Sequence, residues 1–215
     1  MFTGIIEEIG SIAKIAKGNE TIVLTIAASN ILKDVQLGDS IAVNGVCLTV
    51  TSFTAQEFTV DVMPETYRST GLTRLSLRSK VNLERAMSAQ GRFGGHFVSG
   101  HVDGTGQILN KRSEKNAIYY EIGVEQELSH YMLLKGSITV DGTSLTIFGL
   151  TDYSFTISLI PHTVEHTVLG YKGAGDTVNI ECDLLGKYVE KFVTGKQGNE
   201  KKQGISLEYL TEHGF

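Results

Sequence analysis

Three separated blocks of this chain recur at a constant shift of 97 positions, and a duplication of that length restricts the available folds more than any local pattern does. Ile41-Ala42-Val43-Asn44-Gly45-Val46-Cys47-Leu48-Thr49-Val50 aligns with Ile138-Thr139-Val140-Asp141-Gly142-Thr143-Ser144-Leu145-Thr146-Ile147, identical at five of ten positions. Residues 58–66 (FTVDVMPET) align with 155–163 (FTISLIPHT), and Val81-Asn82-Leu83-Glu84 with Val178-Asn179-Ile180-Glu181. The only two prolines, Pro64 and Pro161, take equivalent places, and at a shift of 96 Gly4 and Gly10 fall on Gly100 and Gly106. A period this long exceeds the roughly 20–50 residues of a solenoid unit, so it reads as two similar domains in tandem. The length of 215 residues agrees, since a domain takes about 100–200.

Within each copy apolar residues alternate with polar ones (Ile22 to Ile26, Phe58 to Val62, Ile138 and Val140) and β-branched residues are abundant, which predicts strands. Asn44-Gly45 and Asp141-Gly142 are pairs that accept positive φ in a two-residue hairpin turn. Short strands with frequent turn signals predict an all-β protein: two tandem six-stranded Greek-key barrels, each closing its own edges. A lone proline late in a strand fits an edge or a strand end. Residues 32–37 and 128–134 suggest short helices. Past Asp183, Leu184, Tyr188 and Phe192 at a spacing of four make an apolar stripe on a C-terminal α-helix. That stripe is either a subunit contact or a face that packs back on its own barrel. Residues 195–204 read as a polar linker, followed by a short final segment at 205–215.

Composition closes off several classes. With 24 Asp and Glu against 19 Lys and Arg the net charge is -5, and no basic stripe offers to neutralise a phosphate backbone, so nucleic acid is not an expected partner. No apolar run approaches membrane-spanning length and the start lacks a leader pattern, so a cytoplasmic protein without membrane contact is expected. Cys47 and Cys182, far apart and outside any CxxC, read as free thiols. A Gly-rich βαβ unit for a nicotinamide is missing, which argues against a flavoprotein reductase.

Differences between the copies say more than their similarities, because shared residues serve the fold. Cys47 stands opposite Ser144, Glu65 opposite His162, Asp61 opposite Ser158, and His101 opposite Ile5. The junction Gly94-Gly95-His96-Phe97-Val98-Ser99-Gly100-His101-Val102-Asp103-Gly104 carries two histidines among five glycines, which allow close backbone approach to a ligand. A metal set of His96, His101 and Asp103 lacks helical or finger spacing and a supporting cysteine. His162 and His166 could pair on a helix, but Pro161 and the copy's Glu65 argue against a ligand role. Cys47 has no neighbouring dyad signature, so an inert thiol is its plain reading; Ser144 and Thr146 could equally be strand residues bonding to backbone. On residues alone the chain is a duplicated small-molecule-binding barrel.

Five segments together carry a resemblance: MFTGI at 1–5, NGVCLTV at 44–50, GGHFVSGHVDG at 94–104, DGTSLTI at 141–147 and IPHT at 160–163. Through both repeats, from Met1 to about Asp183, the chain resembles the riboflavin synthase family of the alpha-chain type, with two lumazine-binding repeats. The resemblance implies an N-terminal barrel at 1–97, a C-terminal barrel at 98–186, and a helix and tail at 187–215 that hold a homotrimer. It implies a cofactor-free, metal-free transferase in which two molecules of 6,7-dimethyl-8-ribityllumazine dismutate, one passing a four-carbon unit to the other, to give riboflavin and 5-amino-6-(D-ribitylamino)uracil. Association with a lumazine synthase assembly goes with it. The rival is a non-catalytic lumazine- or flavin-binding antenna protein of the same fold.

Carried over by motif, the resemblance implies ligand contacts in the first barrel from Gly4, Ile5, Ile6, Cys47, Leu48 and Thr49, with Asp61, Val62, Met63, Pro64, Glu65 and Thr66. In the second they come from Gly100, His101, Val102, Lys135, Ser144, Leu145 and Thr146, with Ser158, Leu159, Ile160, Pro161, His162 and Thr163. It gives His101 proton transfer or positioning of the nucleophile, Ser144 and Thr146 polarisation of the ring, Cys47 an assisting role on the other ligand, and Phe2 the ordering of the site. The active site would lie between the N-barrel of one subunit and the C-barrel of its neighbour.

Overall fold

Alternating apolar side chains need a closed surface to bury them, and here each half of the chain makes one. The computed structural model describes residues 1–18, 21–195 and 207–214. The first half forms β1 (Glu8–Lys17), β2 (Ile22–Ala27), β3 (Ser40–Val43), β4 (Val46–Phe53), β5 (Glu57–Val62) and β6 (Lys80–Arg85), with helix α1 (Pro64–Ser69) after β5. The second forms β7 (Gly104–Glu114), β8 (Ala117–Gly123), β9 (Ser137–Val140), β10 (Thr143–Leu150), β11 (Ser154–Leu159) and β12 (Thr177–Cys182). Helix α2 (Gln126–Ser129) follows β8 and α3 (Pro161–Glu165) follows β11; α4 (Leu184–Gly195) and α5 (Leu207–Glu212) end the chain. The first barrel closes in the order β1-β2-β5-β4-β3-β6 and the second in the same order six strands later, every pair antiparallel.

Each barrel has its own core. Leu24, Ile26, Ile41, Phe58, Val60 and Leu83 fill the first, and Ile108, Tyr120, Ile122, Ile138, Ile157 and Ile180 the second; each such side chain taken from water contributes about 1.5–3 kcal/mol. The bulges recur as well, in β1 and β7 after Ile12 and Ile108 and in β4 and β10 after Val50 and Ile147, so the duplication extends to irregular backbone.

Local expectations fared unevenly. Pro64 and Pro161 stand just past the ends of β5 and β11 and open α1 and α3, where a missing N–H costs nothing. His162, on α3, and His166, which caps its C-terminal end, stack their rings at 4.1 Å. Residues 32–37 are turns and bends instead of a helix: Ile31, Leu32 and Val35 plug the barrel end, and the Gln36 N–H goes to the Asp39 carboxylate at 2.8 Å. In the counterpart, helix is confined to α2, and turns take over beyond Ser129. The stripe residues Leu184, Tyr188 and Phe192 lie on α4 as expected. The linker expected at 195–204 lies, from residue 196 on, outside the described residues.

The two hairpin tips meet. Asn44 and Asp141 both have φ of 47°, with Gly45 at 81° and Gly142 at 79°. A Cβ on Gly45 would stand 2.7 Å from the Gly142 nitrogen, and the reverse is equally close. Glycine is needed there for the turn and again for the contact. Around the tips runs a reciprocal buried network. Asn82 receives the Val168 N–H at 2.8 Å and donates to the Asp141 carbonyl at 2.9 Å. Asn179 receives the Gly71 N–H at 2.7 Å and donates to the Asn44 carbonyl at 2.8 Å. One asymmetry is a matched replacement: Asp141 stands for Asn44 and Lys172 for Leu75, and Lys172 Nζ donates to Asp141 at 2.5 Å.

Asn82→Ala strands the Val168 N–H and the Asp141 carbonyl, two groups whose unmet bonds cost about 1–3 kcal/mol each. Calorimetry should find Tm lower by roughly 5–15 °C at about 2–4 °C per kcal/mol for a chain of this size. An unchanged Tm would show that the two barrels do not depend on this network.

Candidate functional site

The segments that precede β1 and β7, here called leaders, build the site. They pair with each other antiparallel at Phe2 and Val98, through Phe2 N–H to Val98 O at 2.8 Å and Val98 N–H to Phe2 O at 3.2 Å. Phe2 is fully buried with Val98, Ala42 and Cys47 around it, so its ring fastens the crossing.

Beyond the crossing each leader goes to the other barrel. Gly4 O accepts the Ser144 N–H at 2.7 Å, and Gly100 O accepts the Cys47 N–H at 2.8 Å. Both glycines have φ of 79°, and a Cβ on either would lie 2.6 Å from the Cβ of Ser144 or Cys47. Val102 packs on the first barrel's core. This corrects the grouping carried over from sequence: Gly100, His101 and Val102 belong with Cys47, while Gly4 and Ile5 belong with Ser144. Local pattern encodes a leader but not which neighbour it lies on.

The Cys47 shelf is built on β4, which turns Leu48 inward and leaves Cys47 half-buried and Thr49 exposed on its outer face. Exposed His101 stands on the leader two residues past Ser99, whose Oγ accepts the His101 N–H at 3.2 Å. From Asp61 at the end of β5 the chain passes buried Val62 to exposed Met63, then Pro64, Glu65 and Thr66 in α1; Glu65 is taken by Arg68 at 3.0 Å.

The Ser144 shelf repeats this frame with other chemistry. β10 presents Ser144, half-buried Leu145 and exposed Thr146. β11 carries half-buried Ser158 and buried Leu159, and from there the chain leads through exposed Ile160 into Pro161, His162 and Thr163 of α3. Met63 and Ile160 are equivalent, apolar and 70% and 60% exposed. Ile6 is half-buried on the leader beyond Ile5. Lys135 donates its N–H to Ile147 O at 2.9 Å, tying it to β10, and its ammonium lies 4.0 Å from the Phe148 ring centre. Lysine occupies a φ of 68° there, where the first copy has Gly38.

Sequence reasoning did not single out His96 as the partner of Ser144. Its Nδ1 lies 2.7 Å from Ser144 Oγ, and its backbone N–H donates to Thr3 O at 3.1 Å. Burial lowers the imidazole's pKa below its ordinary value, opposed by the charge of Asp183. A neutral ring beside a serine hydroxyl is a proton-handling pair. Gly95 permits it, because a Cβ there would be 1.9 Å from Thr3 O and 3.0 Å from Ser144 Cβ. The junction glycines thus let the chain approach itself, where sequence reading had assigned them to a ligand. Asp103 accepts the Cys182 N–H at 2.8 Å and pairs with Lys187 at 2.6 Å; among the described residues no three His, Cys, Asp or Glu are placed to hold a metal.

A 390 Å³ cleft is lined by Thr3 and Ile5 of the first leader with Glu7, Asp34 and Arg92, and a 610 Å³ groove runs along α4 by Leu133 and Val189. Two positions that share a backbone frame and differ in polar groups suit two similar ligands treated differently.

Comparison with known proteins gives this arrangement a context. The lumazine binding domain model matches twice, at residues 3–86 and 99–183. The riboflavin synthase of Bacillus subtilis (strain 168) is 57% identical over 215 residues, covering all of both chains, and that of Actinobacillus pleuropneumoniae is 54% identical over the same span. Among solved structures, LumP complexed with riboflavin superposes with a TM-score of 0.79 at 27% identity, covering 85% of this chain and 99% of that one. LumP complexed with 6,7-dimethyl-8-(1'-D-ribityl)lumazine gives a TM-score of 0.76 at 27% identity over 84% and 98%.

Proposed function

The chain belongs to the riboflavin synthase family of paired lumazine-binding domains, and we propose on that premise that it dismutates two molecules of 6,7-dimethyl-8-ribityllumazine into riboflavin and 5-amino-6-(D-ribitylamino)uracil. The observation that carries the reading is the pair of crossed shelves, alike in frame and unlike in chemistry, with Cys47 and His101 on one and Ser144 and His96 on the other. A reaction between identical molecules requires such a difference, because one must give four carbons and the other receive them. Full-length identity of 57% to a riboflavin synthase, against 27% to LumP, favours catalysis over the antenna alternative.

Most of the rate enhancement on this reading comes from orientation. Holding two rings stacked turns a dilute encounter into an internal step, a term that can reach about 7–11 kcal/mol. The Ser144 hydroxyl with neutral His96 handles the proton lost from the C7 methyl and returned after the carbon unit has moved. Thr146 and backbone N–H groups meet the charge that spreads into the pyrimidine carbonyls. Lys135 adds a cation from the turn that precedes β9. Cys47, Thr49 and His101 orient the second ring.

A homotrimer in which the N-barrel of one copy faces the C-barrel of the next belongs to the same reading, and the exposed apolar residues of α4 support that helix as the seam. That no helix among the described residues is long and apolar enough to cross a membrane is compatible with a cytoplasmic enzyme. Association with a lumazine synthase assembly belongs to the same reading, and cosedimentation checks it.

Incubating purified, chelator-treated protein with the lumazine alone should give riboflavin and the uracil in equal yield. Tight binding and fluorescence without turnover would turn the assignment to a ligand-holding protein.

A further inference from the structure

Two buried carboxylates have no part in the chemistry above. Glu84 in β6 is 4% exposed and Glu181 in β12 is 2% exposed. Their partners are leaders. Glu84 accepts from Thr3 N at 2.7 Å, Thr3 Oγ1 at 2.9 Å and Gly4 N at 3.0 Å. Glu181 repeats the pattern with Ser99 N at 2.7 Å, Ser99 Oγ at 2.6 Å and Gly100 N at 3.0 Å. Each carboxylate therefore holds the leader of its own barrel, on both oxygens, one residue or less from the carbonyl that leader presents to the other barrel. Gly4 O is set against Ser144, and Gly100 O against Cys47.

Only an ionised carboxylate fits this role well, because every group that converges on it is a donor and a carboxylate accepts on both oxygens. Burial raises the pKa of both groups, and the leader's own hydrogen bonds act in the opposite direction. Leader position and carboxylate charge are thus linked.

We propose that Glu84 and Glu181 are positioning residues that act crosswise: Glu181 of the second barrel sets the Cys47 shelf of the first, and Glu84 of the first barrel sets the Ser144 shelf of the second. The inference rests on reading the shelves as ligand sites, but the crossing itself can be measured without turnover.

Cys47 is the local reporter. Cys182 is 1% exposed and burial pushes its thiol up to about 12, which leaves Cys47 as the thiol that iodoacetamide modifies. Glu181→Gln turns an amide NH2 toward leader N–H groups and removes one acceptor. Since a hydrogen bond to a charged group is involved, the Cys47 alkylation rate should rise about tenfold. Glu84→Gln should leave that rate within about twofold, although Glu84 is in the same barrel as Cys47. Turnover should fall in both variants with KM for the lumazine changed less than kcat, and Glu181→Asp should restore part of it.

Equal alkylation rates in the two variants, or a larger effect from Glu84→Gln, overturn the crossing. If Glu181→Gln does not fold, Ser99→Ala removes the 2.6 Å hydroxyl bond to Glu181 together with the 3.2 Å bond from the His101 N–H, both of which hold this leader, and must raise the Cys47 rate in the same direction. Riboflavin protection of wild-type Cys47 is measured first: its absence rejects the shelf as a ligand site, while the rates of the variants still decide the crossing.

Discussion

His96→Ala lowers kcat by about 10²–10⁴-fold, the range for losing a positioned proton-transfer group, and leaves the affinity for the lumazine within a few-fold. The basis is geometric, since His96 Nδ1 lies 2.7 Å from Ser144 Oγ and the bond that orients its backbone, to Thr3 O, survives the substitution. Ser144→Ala should cause a loss of similar size. The double variant should be no worse than either single one, because groups that pass one proton are strongly non-additive. Losses that multiply would separate the two residues, and near-normal turnover in His96→Ala would remove the pair from the mechanism. The acid side of the profile gives a second check. Burial holds the imidazole's pKa below its ordinary 6.5, so it stays neutral at pH values where a free histidine is already charged. Activity should persist below pH 6.5 and decline only as pH falls through that lowered value, whereas an acid limb at 6.5 or above would remove His96 from the proton transfer.

The reasons His96 and the two glutamates escaped sequence reading are physical. Periodicity and turn chemistry are local, so the strands, both Asn/Asp-Gly hairpins and α4 could be read directly. Where a leader lies is decided by contacts about 50 to 140 positions apart, such as Cys47 with Gly100 and Gly4 with Ser144. Family resemblance grouped the segments by chain order, which the crossing reverses. A signal was nevertheless present. Val-Asn-Leu-Glu and Val-Asn-Ile-Glu alternate as a strand with one wet face would, yet all four residues of each quartet are buried. Two copies that keep the same amide and the same carboxylate on a nominally solvent-facing side reveal a face that is not solvent-facing. It is the seam between the barrels, with Asn82 and Asn179 joining them and Glu84 and Glu181 holding the leaders.

Placing charge on the outer face of α4, as in Tyr188→Glu with Phe192→Glu, converts the protein to monomers in sedimentation and reduces turnover at least about 100-fold, a loss equal to roughly 2.7 kcal/mol of transition-state stabilisation. The helix is fastened to the second barrel by polar pairs, Lys187 to Asp103 at 2.6 Å and His130 to Glu190 at 2.8 Å. Its apolar residues Leu185, Tyr188, Val189, Phe192 and Val193 are left 53–68% exposed, at the spacing of one continuous helical stripe. Of the two readings open from sequence, packing back on its own barrel is therefore not what this helix does with that stripe. Burying side chains of this size yields about 1.5–3 kcal/mol each, enough to offset an association cost on the order of 4–15 kcal/mol once several copies contribute. The barrels close their own edges, so far-UV circular dichroism should be retained in the variant, and activity should be lost because each shelf is without its facing neighbour. Monomers that still turn over at the wild-type rate would place both lumazines within one chain and end the case for a site shared between copies.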